Sequence, residues 1–253
     1  MKPDSWFEST PEEQITRARE AIGRARRVFV ITGAGVSAES GVPTFRDAGG
    51  LWKKFDPYQV ATPEAFARDP AFVWEWYDAR RVDLLGRRPN PAHVALARLE
   101  QRTEDFFLLT QNVDDLHEQA GSTRLAHIHG SIWEVRCTRE GTVRVDRRAP
   151  LFELPPHCEH CGALERPNVV WFGETIREDA VAATRAFLET GDVDCILVIG
   201  TEASFGYIMQ WAEQARGRRG VLIEVNPSRT GLSSYCDIHL HGPAGVLLPQ
   251  VAP

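Results

Sequence analysis

Nowhere is this sequence apolar for the roughly 20 residues that a membrane span requires. Its first 27 residues are polar, with acids in the first helical turn, and lack the apolar middle of a signal peptide. Cysteine is scarce and odd in number, five in 253 residues, so no disulfide framework is expected. Positive charge is not in excess either. Against 29 basic residues stand 35 acidic ones, a net charge of −6, which argues against binding to nucleic acid or to an anionic membrane. Lysine is nearly missing, with Lys2, Lys53 and Lys54 the whole set. No repeat or low-complexity tract interrupts the chain. These absences point to a soluble cytoplasmic protein, and hydrophobic and charged contents of 43% and 25% are ordinary for a globular one.

What is present centres on residues 28–47, VFVITGAGVSAESGVPTFRD. Val28 to Thr32 is a short β-branched run of the kind that forms a buried strand. Gly33 and Gly35 follow, and glycines here let a backbone turn tightly and approach a ligand closely. Gly33-x-Gly35-x-x-Ala38 fits the loose dinucleotide fingerprint, with a helix opening near Ser37 to face an anion. A dehydrogenase would continue through a helix into a second strand ending in an acid. Instead Pro43 and the Gly49-Gly50 pair interrupt any helix, and Phe45, Arg46 and Asp47 follow the phosphate loop directly.

Thr10-Pro11-Glu12-Glu13 marks a helix start, and the helix is expected to run to Arg27 with Ile15, Ala18, Ile22 and Ala25 on its apolar side. Pro57 to Gly86 reads as helical and aromatic-rich, with its aromatics mostly in the core. Another helix covers Ala92 to Arg102, and Phe106 to Thr110 is a second buried strand ending at Gln111-Asn112-Val113-Asp114. Trp133 to Pro167 changes composition, with three cysteines and many arginines. Further on come a helix over Asp179 to Thr190, a strand over Cys195 to Ile199, a helix over Phe205 to Arg216 and a strand over Val221 to Val225. Strands alternating with helices indicate a doubly wound, parallel Rossmann-like α/β sheet. Into it is inserted a smaller lobe, helical and cysteine-containing in the manner of a zinc ribbon. We expect one domain, its large lobe near residues 10–47, 90–130 and 175–250, its small lobe near 48–89 and 131–174.

Polar clusters fall at four strand ends: Gly33 to Arg46, Gln111 to Asp114, Gly200-Thr201, and Asn226-Pro227-Ser228. In a parallel sheet ligands collect there, so one extended polar ligand such as a nucleotide is implied. These stretches, with His129-Gly130 and Gly242-Pro243-Ala244-Gly245, resemble the signatures of the sirtuins, NAD-consuming protein-lysine deacylases, over roughly Val28 to Pro249. The resemblance implies NAD as a cosubstrate held by Gly33, Ala34, Gly35, Ser37, Phe45, Arg46, Trp52, Gln111, Asn112, Asp114, Gly200, Thr201, Asn226, Ser228 and Ala244. It implies His129 as general base, able to take a proton near neutral pH, and Asn112 as the group orienting ribose and water. Glu202 departs from the family's serine, and repulsion by phosphates is expected to turn its side chain away.

Tyr77-Asp-Ala-Arg80 resembles the Tyr-x-x-Arg pair of the branch that removes succinyl and malonyl groups. The two share a helix face, and an arginine fork with a phenol suits a carboxylate. Ala48 is small, as a roomy acyl channel needs. Val170, Phe172, Gly173 and Glu174 fall in an apolar strand whose edge would pair with substrate backbone. The family's two Cys-x-x-Cys zinc pairs are incomplete here. Cys158 and Cys161 form one, while Cys137 faces Glu140 where its partner is due. Glu140, His157 or His160 would complete a tetrahedral zinc, or the lobe is held by packing alone. Acyl-lysine proteins are the implied partners, nucleic acid and membrane are not, and a monomer is expected. A protein ADP-ribosyltransferase, a non-catalytic NAD or ADP-ribose sensor and a classical dehydrogenase are the other readings. With three lysines, self-deacylation is no main role.

Overall fold

A computed structural model describes residues 10–44, 56–204 and 206–252. The expected sites Phe45, Arg46, Ala48 and Trp52 lie outside the described residues. Strand β1 (Arg27–Thr32) is buried along nearly its whole length and has neighbours on both sides. One is β2 (Asp105–Thr110), in register from Arg27 opposite Asp105 to Thr32 opposite Thr110. Beyond it lies β3 (Leu125–His127). On the other side come β7 (Cys195–Ile199), β8 (Val221–Asn226) and β9 (Ile238–His241), giving a six-stranded parallel sheet in the order β3-β2-β1-β7-β8-β9.

Alternate residues of these strands feed two cores, as the period of two requires. Val28, Val30, Leu108, Leu197 and Ile199 face helices α1 (Pro11–Arg24), α5 (Pro91–Arg102) and α9 (Ala244–Val251). Phe29, Ile31, Leu109, Ile196 and Val198 face α7 (Glu178–Glu189) and α8 (Gly206–Arg216). The Thr10 capping box starts α1 as expected, but the helix ends at Arg24, three residues short of Arg27. Its last turn gives way because Ala25 is already extended, leading the chain into β1.

A second sheet, antiparallel, joins β4 (Gly130–Cys137), β5 (Val143–Val145) and β6 (Glu165–Val169). Against it packs the aromatic segment, which is not one helix. It divides into α2 (Pro57–Val60), α3 (Pro63–Arg68) and α4 (Pro70–Leu85), because Thr62 and Asp69 each cap a new helix with proline next. Trp74 is fully buried there, its indole N–H donating to the Glu165 carbonyl at 2.7 Å. The apolar strand expected over Val169 to Glu174 does not form, since β6 ends at Val169. Beyond Val169 the chain turns, with the Val170 N–H donating to the His129 carbonyl and the Phe172 N–H to Ala61, each at 2.9 Å. Among the described residues no helix is long and apolar enough to cross a membrane.

Phe29 stacks on Phe107 and meets Phe187, with centroids 6.2 and 5.9 Å away. Truncation there leaves a cavity under the central strand. Phe29→Ala is expected to cost about 3–5 kcal/mol, read as a lower urea midpoint with an unchanged slope.

Candidate active site

The site is built where β1, β2, β7 and β8 end. After β1 the chain enters a 3-10 helix, Ala34–Ser40, opened by the glycine loop. Gly35 donates its N–H to the Gly200 carbonyl at 2.8 Å, and a Cβ on Gly35 would lie 2.8 Å from the Gly200 Cα. Gly200 itself sits at φ +60, in the left-handed region that favours glycine. Only two glycines let these backbones meet.

Side chains then tie the strand ends together. Gln111 Nε2 donates to Thr201 Oγ1 at 3.0 Å, and Asn226 Nδ2 to the Thr201 carbonyl at 2.8 Å. Asn112 Nδ2 donates to Ser37 Oγ, and Ser37 in turn donates to Asp114 Oδ2, both at 3.1 Å. The other carboxylate oxygen accepts the Leu116 N–H at 3.1 Å. Asp114 is buried, and burial pushes its carboxyl above the usual range against the pull of these two donors.

Two buried histidines stand behind this row. His93 Nδ1 accepts the Asn90 N–H, so its Nε2–H faces Ser37 Oγ at 3.4 Å. That completes the serine's capacity of one donated and two accepted bonds. His117 Nε2 meets Thr32 Oγ1 at 3.0 Å, and its ring lies 4.8 Å from that of His93. Burial pushes His93 down to about 4 and His117 well below its ordinary value, so both are neutral.

His129 follows β3, its Nδ1 at 3.0 Å from the Gln111 carbonyl and its Nε2 at 2.6 Å from the Tyr207 hydroxyl. It lines a groove of 920 Å³ together with Gly33, Ala34, Gly35, Gln111, Asn112, Gly200, Thr201, Asn226, Ser228 and Ala244. Ser37 and Asp114 line an adjoining recess of 190 Å³, which Ala34, Asn112 and Arg80 share with the groove. Glu202, expected to turn away, lines the groove as well. Tyr207, Arg229 and Thr230 are further groove residues that no motif had singled out.

Tyr77, Arg80, Val170, Phe172, Gly173 and Glu174 line the same groove. Tyr77 is buried and its hydroxyl accepts the Trp171 indole N–H at 2.9 Å, which leaves the hydroxyl hydrogen for an acceptor. The Arg80 guanidinium lies over Trp76, 4.7 Å from its centroid, and desolvation lowers its pKa. Glu174 is bound by Arg166 at 2.5 and 2.9 Å, and Arg166 stacks 3.4 Å over Trp171.

In the second sheet, Cys137, Glu140, Cys158 and Cys161 bring one ligand atom each to within 4.8 Å of one another. His157 and His160 are not in this cluster; His157 Nδ1 instead lies 3.8 Å from Glu153. Cys137 Sγ and Cys161 Sγ are 3.5 Å apart, close to the spacing of about 3.8 Å that tetrahedral Zn–S bonds imply. The Glu140 N–H, 3.4 Å from Cys137 Sγ, pulls that thiol below its ordinary value, while its neighbour Cys161 is pushed up to about 11. Three sulfurs and a carboxylate fit a closed structural zinc.

A family model described as the Sir2 family matches residues 33–205. An NAD-dependent protein deacylase of Aquifex aeolicus (strain VF5) is 43% identical over 224 residues, 88% of this chain and 93% of its own. The mitochondrial NAD-dependent protein deacylase sirtuin-5A of Xenopus laevis is 41% identical over 265 residues, 94% of this chain and 85% of its own. The crystal structure of a Sir2 homologue–NAD complex superposes with a TM-score of 0.86 at 41% identity, covering 93% of this chain and 92% of that one.

Two outcomes follow from this geometry. Zinc content by elemental analysis is expected to be one per chain, with Glu140→Ala losing metal to a chelator faster and Glu140→Cys more slowly than wild type. The second concerns His93, whose folded pKa lies below its unfolded one. Its stabilising contribution is complete above about pH 6.5 and is lost as pH falls towards 4, about 2 kcal/mol of it by pH 5. Unfolding of His93→Gln at pH 7.5 and pH 5 should therefore show a smaller fall than wild type.

Proposed function

The chain belongs to the Sir2 family, and from that premise we infer that it removes acyl groups from protein lysines at the expense of NAD. One observation carries the reading: a single sheet edge brings the glycine loop, Gln111 to Val113 and His129 to one groove, with Asp114 in the recess beside it. A dehydrogenase would need neither that row nor His129.

The residues divide the work by position. Gly33, Ala34, Gly35, Gly200 and Thr201 offer backbone to the pyrophosphate, and Asn226, Ser228 and Ala244 lie at the adenosine end. The recess at Ser37 and Asp114 takes the nicotinamide, its carboxamide held by the Asp114 carboxylate. The acyl-lysine amide oxygen attacks the ribose carbon as nicotinamide leaves. Because that leaving group is already cationic, positioning and charge stabilisation carry the step. His129 then takes the proton of a ribose hydroxyl, whose oxygen bonds to the imidate carbon while the C=N π pair moves to nitrogen. Asn112, fixed by Ser37 and by His127 at its carbonyl, orients ribose and water. The amine, protonated, then leaves as lysine when its C–N bond breaks, and water adds to the carbon left behind, so that lysine, nicotinamide and O-acyl-ADP-ribose result.

Tyr77 and Arg80 extend the reading to acidic acyl groups. A guanidinium made costly by desolvation gains most from a carboxylate brought beside it. The cysteine cluster would hold zinc and close the second sheet. Five free cysteines fit a reducing cytoplasm, and a monomer completes the proposal.

Mass spectrometry of a succinyl-lysine peptide and its acetyl twin, with and without NAD, tests this. NAD-dependent loss of succinyl with O-succinyl-ADP-ribose is expected. Label from NAD ending on protein would instead indicate a transferase, and NAD binding without turnover a sensor. Arg80→Met should cut succinyl turnover roughly a hundredfold while sparing acetyl turnover; an unchanged succinyl rate would sink the acidic preference.

A further inference from the structure

The geometry points to Tyr207 as a positioning residue for His129, acting on the acyl-transfer half of the reaction alone, and we propose that role for it. The inference rests on the reading of His129 as base. The Gln111 carbonyl can only accept, so Nδ1 carries the hydrogen of the neutral imidazole. Nε2 is then the basic nitrogen, and its one in-plane lone pair is already taken by the Tyr207 hydroxyl at 2.6 Å. The two rings are nearly perpendicular, at 81° with centroids 6.3 Å apart, and the phenol oxygen is the atom that meets Nε2.

Tyr207 owes its place to packing. It stands in the first turn of α8, beside Ile208, which is fully buried, and its ring rests on Trp211 at 5.4 Å. A hydroxyl carried by a packed ring on a helix loses little entropy when it binds. It also lines the groove where Gly200 and Thr201 lie, so it stands beside any nucleotide there.

A single lone pair cannot hold two strong donors. At rest the phenol oxygen occupies the place where the ribose hydroxyl oxygen must arrive, and holds the imidazole in the tautomer and plane that arrival needs. When the ribose hydroxyl takes over the lone pair, its proton passes to Nε2 and its oxygen bonds to the imidate carbon. The new Nε2–H then finds the Tyr207 oxygen as its acceptor. No proton moves onto tyrosine. A hydroxyl serves as donor to the neutral ring and acceptor from the charged one, which a phenyl ring cannot do.

Nicotinamide release precedes this proton transfer, so the two halves can be measured apart. Tyr207→Phe keeps the ring against Trp211. With acyl peptide and NAD, exchange of labelled nicotinamide into NAD reports the first half, and O-acyl-ADP-ribose formation the second. Tyr207→Phe should leave exchange and the NAD KM within about twofold and slow product formation roughly tenfold. The ratio of exchange to product therefore rises. Unchanged product formation would overturn the proposal, and so would exchange and product falling together, which marks a structural role. His129→Ala serves as the control, expected to keep exchange and lose product. If it keeps product as well, the base reading fails, whatever Tyr207→Phe shows.

Discussion

Everything at the sheet edge depends on the contact between Gly35 and Gly200. The ends of β1 and β7 approach until an N–H of one loop meets a carbonyl of the other at 2.8 Å. Any side chain at either position would be driven into backbone, Gly35 against Gly200 and Gly200 against the Val36 nitrogen at 2.4 Å. This closeness puts Thr201 within reach of Gln111, and through its carbonyl within reach of Asn226. Four strand ends thus share one set of hydrogen bonds. A nucleotide laid across them meets a surface already fixed in shape, which limits the ordering cost of binding.

Beneath that surface the polar groups are buried, and their arrangement follows from satisfaction more than from charge. Ser37 can be a single donor, and it spends that donor on Asp114 while accepting from Asn112 and His93. The arrangement requires His93 to be neutral, which burial secures without a charged partner. The recess therefore holds the Asp114 carboxylate between two neutral donors, Ser37 and the Leu116 N–H, with Arg80 and Asp83 elsewhere in its lining. Such a site suits an amide-bearing ring better than a second anion.

Much of this was legible in the residues. Apolar runs marked β1, β2, β7 and β8, and polar residues after them gather at one sheet edge because parallel strands all end on the same side. The breaks at Pro63 and Pro70 carried the same signal as Thr10-Pro11, since Thr62 and Asp69 are cap residues. An apolar composition masked them. The turn after Val169 was hidden differently: Val170 to Phe172 are strand formers, and their tertiary hydrogen bonds to His129 and Ala61 decide their path. Cys137 and Glu140 stood as ligand positions through the resemblance, and only coordinates group Glu140, not His157 or His160, with the three cysteines. Tyr207 had no signal at all. One aromatic in a helix's first turn looks like packing, and its hydroxyl's neighbour lies 78 positions away.

The strand order also bears on how the molecule comes into being. β1 sits at the middle of the sheet, yet one of its neighbours lies at residues 105–110 and the other at 195–199. On a ribosome the first partner emerges long before the second, and β1 must wait half-paired while the chain between Thr110 and Cys195 is made. The glycine contact cannot form until β7 arrives. Nucleotide binding is therefore acquired late in synthesis and all at once, so that free NAD can stabilise only chains whose central sheet is already assembled.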